Sequence, residues 1–173
     1  MIFNSLTYLL LLFIVIILYW LLSYKARLLL IFTSSLVFYG FWKISFIPIL
    51  MVSVIIDWWV AQQIYQCKKK QRFSFLLISL ITNLGLLFYF KYLIFFASNA
   101  IGFSNLLGIE IDPFALKIIL PLGISFYTFQ TISYTVDVYR GFIKPERNFI
   151  LFACYVTFFP QLVAGPILRA KEV

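Results

Sequence analysis

A stripe of polar and small side chains runs through an otherwise apolar stretch, residues 120–141. Its members follow one another at intervals of four, three, four, three and four residues: Gly123, Tyr127, Gln130, Tyr134, Asp137 and Gly141. At about 100° per residue, these intervals place all six on one face of a helix. Unsatisfied polar groups cost several kcal/mol in hydrocarbon, so the face must turn toward protein or a water-filled path. Its hydroxyl, amide and carboxylate groups could guide a polar substrate through a membrane.

Three polar residues outside the stripe also lie within or between apolar runs. An ionised carboxylate at Asp57, beside two tryptophans, costs at least ~2.5 kcal/mol on insertion scales. It must face a partner, either as a group that lines a cavity or as a buried structural carboxylate. Asn83 is interpreted as an amide that bonds across packed helices. Lys91 separates two uncharged stretches, residues 73–90 and 92–109.

The segment FFPQLVAGPI, residues 158–167, places Pro160, Gln161, Gly165 and Pro166 in an otherwise apolar run. Two prolines and a glycine predict a broken or re-entrant helix, because proline lacks the backbone N–H that a helix needs. At membrane depth, irregular backbone is tolerated only where protein or a water-filled cavity covers it. This segment is therefore a second candidate lining, with a passive hinge as the alternative.

Composition predicts an all-α, polytopic integral membrane protein. Hydrophobic residues make up 64% of the chain, charged residues 12%, and the mean hydropathy is +1.02, whereas soluble domains carry about 25% charged residues. The uncharged runs predict about six membrane segments: residues 6–22, 28–42, 44–66, 73–90, 120–141 and 149–168. Residues 92–109 are predicted to form an interfacial or re-entrant helix. No linker rich in Ser, Gly or Pro divides the chain, so residues 1–173 are predicted to form one membrane domain.

The net charge of +8 is explained by basic residues placed between apolar runs. Such residues follow the positive-inside bias, so the partner is the lipid bilayer and no nucleic-acid partner is predicted. If the spans alternate, the basic groups at residues 25–27, 68–72 and 140–147 share the cytoplasmic side. The cluster at residues 68–72 is predicted to be a cytoplasmic loop that contacts anionic lipid. The N-terminus is then predicted to lie outside the cytoplasm.

Three motifs resemble the membrane-bound O-acyltransferase family, most closely its bacterial branch of alginate O-acetyltransferases and D-alanyl transfer proteins. They are LPLGISFYTFQTISYTVDVYRG at residues 120–141, NLGLLFYFKYLIFF at residues 83–96, and FFPQLVAGPI at residues 158–167. Their order and spacing also match the family. The resemblance covers most of the chain from about Asp57 onward.

The resemblance implies transfer of an acyl group from a cytoplasmic thioester, typically acetyl-CoA, to hydroxyls of an extracytoplasmic polysaccharide such as alginate. It implies a location in the bacterial inner membrane, no bound cofactor, and room for an extracytoplasmic partner protein that handles the acyl group. It also implies a path for the acyl group. One wall would carry Tyr127, Gln130, Tyr134, Asp137 and Arg140, with Gln161, Gly165 and Pro166 nearby.

No residue of this chain is predicted to be catalytic. Ser125 and Thr128 have no adjacent base that would make a nucleophile of them. In the family a membrane histidine acts as general base, and this sequence contains no histidine. The chain is therefore expected to be the N-terminal portion of a longer acyltransferase domain and to be inactive alone. Cys67 and Cys154 lack C-x-x-C spacing, so no metal site or redox pair is predicted.

Two functions of other classes remain open at this point. A transporter or channel subunit could use Asp57, Lys91 and Asp137 as an ion path, although no inverted repeat supports it. A non-catalytic scaffold would leave the polar stripe as packing between helices.

Reporter fusions at Lys70 and Asp112 test the predicted topology. A cytoplasmic reporter should be active at Lys70 and a periplasmic reporter at Asp112, because the basic clusters favour the cytoplasmic side. An extracytoplasmic signal at Lys70 would overturn the orientation.

Overall fold

Every element in the described part of the chain is helical, as the composition predicted. The computed structural model describes residues 5–92, 95, 96, 99 and 120–164. Within these ranges the helices are α1 (Leu6–Leu21), α2 (Tyr24–Lys43), α3 (Ile47–Gln66), α4 (Lys69–Leu87), α5 (Ile124–Arg140), α6 (Phe149–Thr157) and α7 (Phe159–Ala164). A 3-10 turn at Ile44–Phe46 joins α2 to α3, and a π-helical turn at Phe88–Tyr92 continues α4.

Two continuous helical stretches are long and apolar enough to cross a membrane, Tyr24–Gln66 and Lys69–Tyr92. The 3-10 turn divides the first into two helices, α2 and α3. Helix α1 and the stretch Phe149–Leu162 are shorter apolar helices. The structure thus supports a helical membrane protein but does not establish six spans, and most of the predicted helix at residues 92–109 lies outside the described residues.

The structure moves the predicted start of α4 and locates a predicted break. The lysine cluster is not wholly a loop, because α4 begins at Lys69 and includes Lys70 and Arg72. The run at residues 149–168 is broken, as predicted, and the break falls at Phe158 between α6 and α7. Pro160 accounts for the break, because its ring lacks an N–H and would clash with the carbonyl four residues earlier.

The centre of the bundle is formed by α3, α4 and α5, which pack against one another. Helix α2 packs along α6, and α1 lies against α2 at the periphery. An aromatic cluster attaches α1: the ring of Tyr8 meets those of Phe38 and Phe159 edge-on, at 5.9 and 6.1 Å between centroids. Large apolar side chains cover the outer surface, as a lipid-facing surface requires.

One end of the bundle is strongly basic. Trp58 and Gln62, in the last half of α3, bond to Glu146, while Cys154 of α6 bonds to Leu28 of α2. These contacts bring together the start of α2, the α3–α4 turn and the α5–α6 loop. Within the described ranges, the basic residues at this end are Lys25, Arg27, Lys68, Lys69, Lys70, Arg72, Arg140, Lys144 and Arg147. Lys43 and Lys91 lie at the opposite end, where the rings of Phe46 and Phe90 meet.

Two arginines at the basic end, each in the first turns of its helix, also bond back to the turn before that helix. Arg27 Nε donates to the carbonyl of Leu22 at 2.9 Å, and Arg72 Nε donates to the carbonyl of Cys67 at 3.2 Å. Each acceptor is the C-terminal cap of the preceding helix, α1 or α3, and lies five residues before the arginine. Both helix-to-helix turns therefore use arginine to satisfy a carbonyl that the helix leaves unpaired.

Glycines in the left-handed conformation bound α5 at both ends. Gly141, with φ 77°, ends the helix: its N–H bonds to the carbonyl of Val138, and the N–H of Phe142 bonds to that of Asp137. This is the Schellman pattern. Gly123, with φ 68°, begins the helix, and a Cβ there would lie 2.5 Å from the carbonyl oxygen of Leu162. The start of α5 thus rests directly on the backbone of α7.

Alanine substitutions at three glycines should separate these effects. Gly141→Ala should lower the free energy of unfolding by ~1–2 kcal/mol, the cost of the left-handed conformation. Gly123→Ala should cost more, because it adds the clash with Leu162. Gly85→Ala, inside α4 with open space around it, should be neutral or stabilise by up to ~1 kcal/mol. The measurement is thermal or denaturant unfolding in detergent, and equal losses at Gly123 and Gly141 would contradict the close contact.

Candidate functional site

Six buried polar side chains, two from each of three helices, meet in the centre of the bundle. Each pair is four residues apart, which places its members one turn apart on the same face of their helix. The pairs are Ser53 and Asp57 on α3, Ser79 and Asn83 on α4, and Thr131 and Thr135 on α5; none is more than 1% exposed. We call this group the polar core.

Asp57 is held in the polar core by neutral donors. Ser79 Oγ donates to Asp57 Oδ1 at 2.5 Å, and Asn83 Nδ2 lies 2.8 Å from each carboxylate oxygen. These bonds offset part of the large cost of removing a carboxylate from water. The structure therefore gives Asp57 the partner that its position in an apolar run requires.

Asn83 joins all three helices. Its Nδ2 donates to Asp57 and to the carbonyl of Ser79, the latter at 3.0 Å. Its Oδ1 accepts from Ser53 Oγ at 3.0 Å and from Thr131 Oγ1 at 3.2 Å. The predicted role of Asn83 as an amide that bonds across helices agrees with this arrangement. The four hydroxyl residues were not singled out from the sequence, although pairs of small hydroxyl residues spaced four apart within apolar helices are a usable signal.

The stripe on α5 turns away from the polar core, toward α2, α6 and the loop after α5. Tyr127, Gln130 and Tyr134 are all buried. Gln130 Nε2 donates to the carbonyl of Tyr155 at 2.8 Å, and Tyr134 Oη accepts from the N–H of Glu146 at 2.8 Å. Helix α5 is therefore polar on two buried faces.

The peptide of Glu146 is clamped by side chains from two helices. Its carbonyl accepts from Trp58 Nε1 at 2.9 Å and from Gln62 Nε2 at 2.6 Å. Its N–H donates to Tyr134 Oη. The carboxylate of Glu146 turns back and accepts from the N–H of Asn148 at 2.8 Å. The clamp fixes the basic α5–α6 loop on the bundle.

The remaining candidates lie apart from these groups. Asp137 is half-buried, Arg140 is exposed, and no ion pair joins them in the described structure. Gln161 is half-buried on α7, whereas Gly165 and Pro166 lie outside the described residues. Lys91 is exposed, with Nζ 6.0 Å from the centre of the Tyr92 ring. The structure thus joins Asp57 to Asn83 but does not join Asp57, Lys91 and Asp137 into one path.

Three buried hydroxyl oxygens form no hydrogen bond of good geometry in the described part of the chain: those of Tyr39, Tyr127 and Thr128. Only Tyr127 was a predicted site residue. Tyr39 lies in the long apolar run of α2, where Ser35 is four residues earlier, and one such neighbour is too short a pattern to single out the tyrosine. In the described ranges, no three His, Cys, Asp or Glu side chains come together to hold a metal ion.

Comparison with known proteins identifies the family. The chain is 37% identical over 161 residues to probable alginate O-acetylases of Pseudomonas syringae pv. tomato and of Azotobacter vinelandii; the match covers 90% of this chain and 30% and 32% of those proteins. It is 33% identical over 165 residues to a peptidoglycan O-acetyltransferase of Helicobacter pylori, covering 81% of this chain and 30% of that protein.

The chain belongs to the membrane-bound O-acyltransferase family, as its three motifs predicted. Within that family its similarity is to O-acetyltransferases that are named for alginate and for peptidoglycan. The chain spans about 30% of the length of the curated relatives it matches. No family model matches the chain. No solved structure matches it either.

A double-mutant cycle should measure the strength of the polar core. Asn83→Ala should lower the free energy of unfolding by ~1–3 kcal/mol, because it leaves the buried Asp57 carboxylate short of a donor. The loss of unfolding free energy in the Asn83→Ala/Asp57→Ala double variant should be smaller than the sum of the losses in the two single variants by ~0.5–3 kcal/mol. Ser34→Ala is the control, since Ser34 is buried but bonds only to Ile31 of its own helix. Additive losses for Asp57 and Asn83 would show that the two side chains are not coupled.

Proposed function

We propose that this chain is the N-terminal portion of a membrane O-acyltransferase and forms a single membrane domain. The whole protein would move acyl groups, most simply acetyl groups, from a cytoplasmic thioester to hydroxyls of an extracytoplasmic polysaccharide. The observation that carries the proposal is 37% identity over 90% of the chain to probable alginate O-acetylases. A relative named for peptidoglycan supports a hydroxyl-bearing polysaccharide as the class of acceptor without choosing between the two polymers.

The buried stripe on α5 supports an acyl path. Helix α5 has 17 residues, which at 1.5 Å per residue gives a rise of about 25 Å. From the basic end inward, the buried stripe residues are Tyr134, Gln130 and Tyr127. We propose that these groups, with Asp137 and Arg140 at the mouth and Gln161 at the far end, line one wall of the path. Gly165 and Pro166, which the sequence predicts for the same wall, lie outside the described residues. A sheltered path would keep a reactive thioester away from bulk water.

The basic end is proposed to face the cytoplasm of a bacterium, with the protein in the inner membrane. Among the described residues, nine basic side chains at this end against two at the other, Lys43 and Lys91, support this orientation. The N-terminus would then be extracytoplasmic. A phosphate-bearing thioester such as acetyl-CoA would be attracted to the same end by its charge.

The residues of this chain are proposed to position the substrates and not to exchange protons with them. The stripe residues Gln130 and Tyr134 already bond to the backbone at Tyr155 and Glu146, which fixes their orientation. We place the base that activates the acceptor hydroxyl in the part of the relatives' length that this chain does not span. An extracytoplasmic partner protein could then hand the acyl group to the polymer.

No observation favours a transporter or a scaffold over an acyltransferase. Lys91 is exposed, and Asp57 is bonded to Ser79 and Asn83 inside the bundle.

Labelled acetyl-CoA supplied to the complete protein in vesicles tests the proposed activity and the stripe together. The wild type should label the polysaccharide. Gln130→Ala and Asp137→Asn should each reduce transfer at least ~10-fold, equivalent to about 1.4 kcal/mol of lost transition-state stabilisation, with expression retained. Thr33→Ala is a matched control, because Thr33 bonds only within its own exposed turn.

The outcomes separate the three functions. Normal transfer in both variants would remove the stripe from the mechanism, and loss of expression would assign it to packing. No transfer by the wild type would overturn the enzyme proposal.

A further inference from the structure

Tyr39 and Tyr127 place two neighbouring hydroxyl groups in the interior, and neither forms a hydrogen bond of good geometry within the described residues. Tyr39 comes from α2 and Tyr127 from the second turn of α5, and their side chains are 0% and 1% exposed. The two hydroxyls are neighbours, and the only side-chain hydrogen bond open to either in the described structure is the one between them. That bond is poorly formed, so neither oxygen has a partner in good hydrogen-bonding geometry.

Such an arrangement is costly for a structural role alone. A buried polar group without a partner costs ~1–3 kcal/mol, and phenylalanine would fill nearly the same volume without that cost. Tyr134, on the same face of α5, shows the contrasting case, because its hydroxyl accepts from the N–H of Glu146. Two hydroxyls that share one poorly formed bond leave at least one buried proton unused, and the pair therefore points to a group that is not part of this chain.

The surroundings of the pair restrict the chemistry of that group. Both tyrosines belong to the main apolar core, alongside Leu50, Val54 and Ile124. A charged group would be strongly disfavoured there, whereas a neutral acceptor could take a hydrogen bond from each hydroxyl. A carbonyl oxygen has two lone pairs and no proton of its own, so it fits two converging donors.

The pair also lies at the right depth for a substrate that enters from the basic end. Tyr39 is 15 residues after Tyr24, the first residue of α2, which is a rise of about 22 Å. Tyr127 is the innermost tyrosine of the stripe, one turn from Gly123, where α5 rests on α7. A group that followed the stripe from the basic end would reach these hydroxyls last.

We propose that the Tyr39 and Tyr127 hydroxyls bind the carbonyl oxygen of the acyl group that is transferred. This inference rests on the proposed acyltransferase function. Both hydroxyls would donate to the carbonyl oxygen and keep their protons. When the acceptor hydroxyl attacks the carbonyl carbon, negative charge grows on that oxygen and the two hydrogen bonds strengthen. An ester bond forms between the acceptor oxygen and the carbonyl carbon, and the base proposed to lie outside this chain takes the proton of the acceptor hydroxyl. The thioester sulfur leaves with the electron pair of its bond to carbon.

Unfolding of the complete protein without substrate gives the first test. Tyr39→Phe and Tyr127→Phe should leave the melting temperature unchanged or raise it, because the bond between the two hydroxyls is poorly formed. Tyr134→Phe should lower it by ~2–8 °C, because it leaves the Glu146 N–H unpaired. Losses of that size at Tyr39 and Tyr127 would mean that their hydroxyls have structural partners, and would overturn the inference.

Infrared spectroscopy with acetyl-CoA labelled with carbon-13 at the carbonyl gives the second test. Relative to the free thioester, the carbonyl band of the bound thioester should shift to lower frequency in the wild type. The shift should be smaller in the Tyr39→Phe/Tyr127→Phe double variant. Acetyl transfer by each single variant should fall at least ~10-fold. Tyr65→Phe is the control for transfer, since Tyr65 is exposed on α3.

The two proposals fail in different ways. Transfer by the wild type with the same band shift in the double variant would overturn the carbonyl site and leave the enzyme proposal standing. If the wild type shows the shifted band, the double variant does not, and the wild type transfers no acetyl group, the enzyme proposal is overturned and the carbonyl site stands. No shift in the wild type would overturn the carbonyl site, whatever the rate of transfer.

Discussion

A carboxylate in the middle of an apolar bundle must be satisfied, and the central packing of this protein follows from how Asp57 is satisfied. Its partners are a serine and an asparagine from the next helix. Asn83 can serve Asp57 only if α3 and α4 keep one register, and its oxygen then accepts from Thr131 of α5. A single requirement for hydrogen bonds thus fixes three helices relative to one another, where apolar contacts alone would allow them to slide.

The position of α5 follows from that constraint. With Thr131 and Thr135 committed to the polar core, the face that carries Tyr127, Gln130 and Tyr134 must meet α2, α6 and the basic loop. The outward side of α5 is left to apolar residues such as Phe126 and Phe129, which are exposed. The proposed acyl path is therefore positioned by a network on the other side of the same helix.

Local patterns in the sequence predicted the helices better than they predicted the contacts. Helix α1 ends within one residue of its predicted limit, because an uncharged run defined it. Helix α2 begins four residues earlier than predicted, since Lys25 and Arg27 were treated as a loop although helices tolerate basic residues at an aqueous end. Asp57 and Asn83 stood out as polar residues in apolar runs. Their pairing across 26 residues, and the pairing of Tyr39 with Tyr127, depend on helix packing and leave no local signal.

The contact between Gly123 and Leu162 has a consequence for substrate range. The backbone of α7 occupies the space that any side chain at position 123 would need, so this corner of the bundle has a fixed width. Leu162 contributes its backbone carbonyl to the contact, and a side-chain substitution does not remove a backbone carbonyl. If the acyl path runs as proposed, a version of this protein that accepted a longer acyl chain would have to make room on the α2 side, around Tyr39. Selectivity for chain length would then reside on a helix that carries none of the three family motifs.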